Sequence, residues 1–314
     1  MKSRILLIVL LLCVLCCYPS KSFCRSAKKH PFPSDVHVIL IGFDGWGSYS
    51  VEKANMPNIK RLMEDGAWTL KKRSVLPSSS AANWASMFMG ASPEIHGYTQ
   101  WNSQKPEIPS MVLGENNIFP TISQLLHFQK PDAEIALFYQ WNGVKYVADT
   151  LSIQHVAQLP KPGKDVVFVN ISRIVGNYIV KEKPTLCTII YDYPDHYGHA
   201  SGFESDDYYQ SLVDVDSSLG HIIQSTKDAG IYEKTIFVIS SDHGGLNKGH
   251  GGKSLSEMET PLVVSGLNVR KGYEIRESVM QYDIAATIAY ILGLDIPQVW
   301  IGRPVLSIFE NVRK

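Results

Sequence analysis

Residues 236–252 read IFVISSDHGGLNKGHGG. The apolar run breaks into Ser241-Asp242-His243-Gly244-Gly245, and His250 follows seven residues after His243, inside Gly249-His250-Gly251-Gly252. A short apolar run bounded by turn residues predicts a buried strand. Open α/β sheets place their sites at the carboxyl ends of such strands, and Asp and neutral His are both good zinc ligands. The stretch therefore predicts a parallel α/β sheet with a metal-holding loop at its edge, and the rest of the chain must supply what completes it.

Two further apolar runs end in the same manner. His37 to Phe43 (HVILIGF) runs into Asp44-Gly45, and Thr185 to Tyr191 (TLCTIIY) runs into Asp192-Tyr193-Pro194-Asp195, with His199 just beyond. Continuous apolar strands need both faces covered, which is the mark of a central parallel strand. Strands are also expected at 68–75, 134–139 and 261–264, and helices at 56–66, 82–89, 121–128, 171–181, 205–229 and 284–292. The longest helix carries Leu212, Val215, Leu219, Ile222 and Ile223 as its apolar stripe. Strand and helix alternate without repeats, so the expected fold is a single α/β domain over 36–310, with helices on both faces of a largely parallel sheet. Residues 101–120 lack a regular pattern and are expected to cross near the site.

Composition narrows the function classes. The 314 residues contain 30 basic and 30 acidic side chains, with 45% hydrophobic residues. That balance gives no basic patch for nucleic acid. Lys2 and Arg4 precede an apolar run from Ile5 to Cys17, with small residues at Ser20 and Ser22, as in a secretory signal peptide over 1–22. The run is too short for a bilayer span of ~20 residues, so export to a periplasm or the exterior is expected, with no transmembrane helix after cleavage. An uncleaved anchor and a lipid-anchored cysteine at 16, 17 or 24 are the other readings, although the small residues that usually precede a lipidated cysteine are missing. Cys187 is the lone cysteine outside this region and sits in an apolar strand, where a buried inert thiol is expected. No disulfide framework is present.

Taken alone, an Asp after a strand is more often a cap or turn residue. The joint appearance of Asp44, Asp195, His199, Asp242, His243 and His250 just beyond three strands points to a metal site instead. A hydroxyl nucleophile is available at the start of the helix near 82, where backbone amides and the helix dipole favour negative charge. Ser78, Ser79 and Ser80 all qualify, and the pattern does not choose among them. A bound metal would lower the pKa of such a hydroxyl.

The chain at this point resembles a family. Ile41-Gly42-Phe43-Asp44-Gly45, Pro77-Ser-Ser-Ser80-Ala-Ala-Asn83, Ser92-Pro93-Glu94-Ile-His96-Gly97, Pro194-Asp195-His-Tyr-Gly198-His199 and Ser241-Asp242-His243-Gly244 occur in the order seen in the alkaline phosphatase superfamily. The likeness is strongest to its type I phosphodiesterase/nucleotide pyrophosphatase branch and covers residues 36–308. It implies an alkaline-phosphatase-like three-layer sandwich and a two-zinc site. Asp44, Ser80, Asp242 and His243 would hold one Zn²⁺, and Asp195, His199 and His250 the other. Ser80 would be the nucleophile of a two-step in-line displacement, standing three residues before Asn83. Asn102 resembles an asparagine that contacts a phosphoryl oxygen, with one extra residue in the spacing. His96 falls in a structural turn and His196 at a non-ligand position.

The resemblance implies a small phosphate ester as substrate. Ser80-Ala81-Ala82-Asn83-Trp84 lacks the Pro and Arg of a sulfatase signature, and no arginine lies between Arg73 and Arg173 to meet a doubly charged monoester. Ala81 stands where an aromatic residue often stacks a nucleotide base, which argues against nucleotide specificity. Phosphodiester hydrolysis is therefore expected. The alternatives are a phosphomonoesterase, a phosphoryl or phosphoethanolamine transferase, and a non-catalytic metal-binding protein. The short intervals between Asp195 and Asp242, and between His243 and His250, leave no room for a large cap domain.

Overall fold

The structure is a computed structural model that describes residues 30–162 and 168–310. The leader and its cysteines, Cys13, Cys16, Cys17 and Cys24, lie outside the described residues. In chain order the elements are β1 (His37–Phe43), α1 (Pro57–Glu64), β2 (Gly66–Arg73), α2 (Ser80–Met89), α3 (Pro93–His96) and α4 (Ile122–Gln129). There follow β3 (Ile135–Tyr139), β4 (His155–Gln158), α5 (Phe168–Glu182), β5 (Leu186–Tyr191), α6 (Asp195–Ala200) and α7 (Asp206–Asp228). The last third holds β6 (Thr235–Ser240), α8 (Leu255–Met258), β7 (Glu259–Gly266), β8 (Tyr273–Glu274) and α9 (Asp283–Leu292).

The strands form one sheet of order β4-β3-β5-β1-β6-β7-β2-β8. Among the described residues only β7 runs against the rest: it pairs antiparallel with both β6 and β2, while every other strand pairing there is parallel. Along β1, Val38 and Leu40 enter one apolar core with α2, α4 and α9. Ile39, Ile41 and Phe43 enter a second core with α1, α5 and α7. Alternate side chains of one strand thus feed two cores, which is why HVILIGF contains no polar residue after His37. The result is the expected three-layer α/β arrangement.

The register of the central strands sets the height of the site. Phe43 pairs with Tyr191, and Gly42 with Ser240, so β5, β1 and β6 end at one level. Their next residues bind each other: Asp44 N donates to Tyr191 O (3.0 Å) and Asp195 N to Asp44 O (2.9 Å). Gly42 is glycine because Trp84 of α2 lies against it; a Cβ there would fall 2.4 Å from the indole.

Several expected boundaries move for local reasons. Gly66 does not close α1 but opens β2, where a Cβ would lie 2.2 Å from Val264 O. At the other end Val75 leaves the sheet because its amide donates to Asn83 Oδ1 (2.7 Å). The interval 101–120 is irregular, as expected. Met56 precedes α1 without a side-chain cap, and the role passes to Asp216 on α7. Its Oδ1 accepts from Ile59 N (2.8 Å) and its Oδ2 from Asn58 N (3.1 Å). Asp216→Ala leaves these amides unsatisfied and is expected to cost about 1–2 kcal/mol. Urea unfolding measures this; an unchanged midpoint would remove Asp216 from the capping role.

Candidate metal centre

Three adjacent strands deliver the acidic and imidazole groups to one place. Asp44 follows β1 directly. Asp242 and His243 follow β6, with Ser241 Oγ accepting from Trp46 N (2.9 Å) and donating to His243 O (2.8 Å). After β5, Asp195 and His199 lie on α6, one helical turn apart, with His199 Nε2 3.3 Å from Asp195 Oδ2. The four-residue spacing could have revealed that helix in the sequence. His250 returns on the glycine-rich loop, its Nε2 3.1 Å from His199 Nε2 and 3.6 Å from Asp195 Oδ1.

The ligand atoms fall into two overlapping groups, Asp195 with His199 and His250, and Asp44 with Asp195 and His243. Asp242 joins the second group through Oδ2, 3.2 Å from His243 Nε2. Asp195 therefore stands between the two groups. The rings of His243 and His250 lie 3.7 Å apart.

The donor set fits metal ions on two observations. Asp44 Oδ1, Asp195 Oδ1 and Asp242 Oδ2 are buried and have no hydrogen-bond partner, a costly state for carboxylate oxygens unless a cation meets them. Neighbouring oxygens are engaged: Trp84 Nε1 donates to Asp44 Oδ2 (3.2 Å) and Gly45 N to Asp242 Oδ1 (3.2 Å). The three histidines share one orientation. His243 Nδ1 donates to Gly244 O (2.8 Å), His199 Nδ1 to Lys248 O (2.9 Å) and His250 Nδ1 to Ser78 O (3.1 Å). Each Nε2 lone pair is left for the centre, as in metal-binding histidines oriented by a second hydrogen bond.

Electrostatics agree. Burial, then the charges of Asp242 and Asp195, holds the Asp44 carboxyl well above the usual range. Burial and Asp242 do the same to Asp195, and burial raises Asp242 to about 6. Burial pushes His243 and His250 down to about 3. The pocket disfavours charge of either sign on these groups until a cation balances the carboxylates.

The three serines have three different surroundings. Ser78 Oγ donates to Gly252 O (2.6 Å) and accepts from Gly251 N (3.1 Å), tying down the glycine-rich loop. Ser79 precedes α2, and its buried Oγ has no partner. Ser80 opens α2 with Oγ 3.1 Å from His243 Nε2, which puts a hydroxyl and a helix N-terminus beside the acidic cluster. Asn102 is exposed on the loop whose Trp101 O accepts from Ala81 N (3.1 Å). His96 is a core histidine held by Ser86 Oγ (2.9 Å) and Tyr98 N (3.1 Å), while His196 is exposed.

A family model described as type I phosphodiesterase / nucleotide pyrophosphatase matches residues 38–271. The chain belongs to this family. It is a type I phosphodiesterase-family chain of the alkaline phosphatase superfamily, as its motifs suggested. Human GPI ethanolamine phosphate transferase 2, catalytic subunit, is 37% identical over 123 residues, 37% of this chain and 12% of that protein. Human arylsulfatase K is 30% identical over 116 residues, 34% of this chain and 22% of that protein. The bis(5'-adenosyl)-triphosphatase enpp4 of Mus musculus is 23% identical over 230 residues, 66% of this chain and 46% of that protein. The matched stretch thus spans less than half the length of each of these relatives. Among solved structures, murine ectonucleotide pyrophosphatase / phosphodiesterase 5, an inactive form in complex with AMP, superposes with a TM-score of 0.70 at 15% identity. That likeness covers 88% of this chain and 100% of the other. The phosphonate monoester hydrolase from Silicibacter pomeroyi gives a TM-score of 0.67 at 14% identity, covering 87% and 76%. These superpositions establish the shared α/β fold.

Residues supporting this phosphodiesterase-family site are harder to read from the sequence. Asn83 Nδ2 donates to Pro77 O and Ser79 O (both 3.0 Å), fixing the turn that presents Ser80. Glu257 closes the glycine-rich loop: Gly244 N donates to its O (2.8 Å) and Gly252 N to its Oε1 (2.7 Å). Ser254-Leu-Ser-Glu257 is a capping box, a legible signal. Lys72, fully buried beneath the site, donates to Ser241 O (3.1 Å) and to Gln281 Oε1, and nothing in its sequence surroundings announces that.

Proposed function

We propose that the chain is an exported two-zinc hydrolase of phosphate esters that prefers phosphodiesters and acts through Ser80. The observation that carries this reading is a cluster of three oriented Nε2 atoms and three unpartnered carboxylate oxygens, with the Ser80 hydroxyl 3.1 Å from one of those Nε2 atoms, that of His243. Mixed nitrogen and oxygen donors suit Zn²⁺. Asp44, Asp242, His243 and Ser80 would hold one ion, and Asp195, His199 and His250 the other. Bound there, the ions would lower the hydroxyl pKa and offset charge on the phosphoryl oxygens.

The chain's own part is positional. Ser80 Oγ attacks phosphorus, forming an Oγ–P bond as the first P–O ester bond breaks and the alcohol departs. Water then cleaves the Oγ–P bond, returning the serine and releasing phosphate or a monoester. The amino end of α2 faces the charge that develops on the phosphoryl group, and Asn102 is assigned a contact to one of its oxygens. A signal peptide over 1–22 and one catalytic domain over 36–310 complete the reading. Among the described residues no helix is long and apolar enough to cross a membrane.

The diester preference is supported by the absence of lysine and arginine among the described residues lining the cavity beside the cluster. A dianionic monoester lacks a counter-charge there that a monoanionic diester needs less. We expect bis-p-nitrophenyl phosphate to exceed p-nitrophenyl phosphate in kcat/KM by at least about tenfold, roughly 1.4 kcal/mol. A monoester preference of that size overturns the assignment.

A transfer reading is favoured by the 37% identity to an ethanolamine phosphate transferase. An alcohol could then replace water in the second step. Product partition in added glycerol separates the two: hydrolysis follows the mole ratio of water to glycerol, and transfer exceeds it.

A further inference from the structure

We infer that the cavity beside His199 and His250 receives an uncharged, flat substituent of the phosphate ester, stacked on Trp101. The inference rests on the phosphoesterase reading and names the class of group attached to phosphorus. The cavity measures about 670 Å³ and is lined by Pro77, Trp101, His199, Gly249 and His250, among others. That volume is in the range of small-molecule sites.

Trp101 is 59% exposed, although its backbone is fixed by the hydrogen bond from Ala81 N (3.1 Å) next to Ser80. Among the described residues no aromatic ring packs on its indole. The loop that carries it is braced from within. Glu107 Oε2 accepts from Thr99 N (2.8 Å) and Ser103 Oγ (2.8 Å), and Gln100 N donates to Ser103 Oγ (3.0 Å). A large, mostly exposed ring thus stands on a braced backbone at the mouth of the site, which suits stacking a planar group.

Charge and space favour the same occupant. With no lysine or arginine among the described residues of the lining, a second phosphoryl group would meet no counter-charge from them, whereas a neutral ring would not need one. Gly249 gives an independent observation. Its φ does not require glycine, and a Cβ there would meet nothing within 4 Å. Neither packing nor backbone strain accounts for the missing side chain, and its effect is to leave that wall of the cavity open. Ser79, whose buried Oγ has no partner, also lines the cavity and gives it a hydroxyl.

Phenylphosphonate and methylphosphonate share the head group and differ in the substituent, so their ratio of dissociation constants isolates the cavity. Isothermal titration of the zinc-loaded protein is expected to give about tenfold tighter binding of phenylphosphonate. Trp101→Ala should bring the ratio to near one, Trp101→Phe should keep most of the preference, and Gly249→Leu should abolish it by filling the space. A wild type without the preference, or a Trp101→Ala variant that retains it, overturns the inference while ester turnover by the wild type leaves the phosphoesterase reading standing. Loss of both phosphonate binding and ester turnover in the wild type overturns both.

Discussion

Ser80→Ala is expected to lower kcat/KM on the preferred ester by at least about 10³-fold, because no other hydroxyl can take the attack from the same position. Ser78 Oγ is committed to Gly252 O and Gly251 N. Ser79 Oγ is buried with no partner but sits at the cap, one residue before the helix. Alanine removes only the hydroxyl that lies 3.1 Å from His243 Nε2, and it suits a helix start that buries its whole first turn. Stability should therefore stay close to wild type, and Asp44, Asp242 and His243 should still retain the ion that Ser80 would share, which separates chemistry from folding. Steady-state kinetics with thermal unfolding and metal analysis checks this. Full activity in Ser80→Ala together with an inactive Ser79→Ala would move the nucleophile by one residue.

Removal of metal is expected to abolish more than about 99% of turnover and to lower the unfolding midpoint, both restored by adding zinc. Three buried carboxylate oxygens without partners are the structural reason. Without a cation, protons must neutralise the carboxyls. Asp242, raised to about 6 by burial, is protonated below that pH, and Asp44 and Asp195 are held well above the usual range. On the proposed reading zinc would bind the ionised carboxylates, so binding would release protons and affinity is expected to rise as pH increases through about 6. His243 and His250, pushed down to about 3, are already neutral there and contribute no slope.

The sign for folding is mixed. A carboxyl raised above its unfolded value stabilises the metal-free fold at low pH and loses that contribution as pH rises, from about 4 to about 6 for Asp242. The depressed histidines act oppositely between about 3 and 6.5. Zinc affinity is the cleaner readout. Competition with a chelating indicator at three pH values, plus titration in buffers of different ionisation enthalpy, measures it. Affinity that is flat from pH 5.5 to 7.5 counts against these carboxylates as ligands.

Much of the fold is legible because the central strands are buried on both faces. HVILIGF, TLCTIIY and TIFVIS contain no acidic residue, lysine or arginine, are otherwise mostly apolar, and end in acidic turns, so strand, location and site can be read together. The weaker elements fail for physical reasons. β4 is an edge strand with partly exposed residues, and β8 has two residues, too few for a periodicity. α6 is hidden because Pro194-Asp195 looks like a turn, although its i,i+4 pair of Asp195 and His199 is a helical signature. The acidic and imidazole residues stand out because carboxylates and imidazoles are recognisable metal donors by residue type alone. Asp216 and Lys72 do not, since each acts across more than 150 residues and no local pattern marks such a partner.

The carbonyls that orient His199, His243 and His250 belong to Lys248, Gly244 and Ser78, and a carbonyl is a group that every residue carries, so their placement rather than their identity does the orienting. Moving this centre into another scaffold therefore requires copying a chain path rather than a residue list. A graft that carries all the acidic and imidazole side chains but bends the 244–252 loop differently would rotate its imidazoles away from the cluster. Conversely, Lys248 could be exchanged for many residues without disturbing His199, provided the loop keeps its course. The specification of the site is partly a curve in space, written in atoms that every amino acid shares.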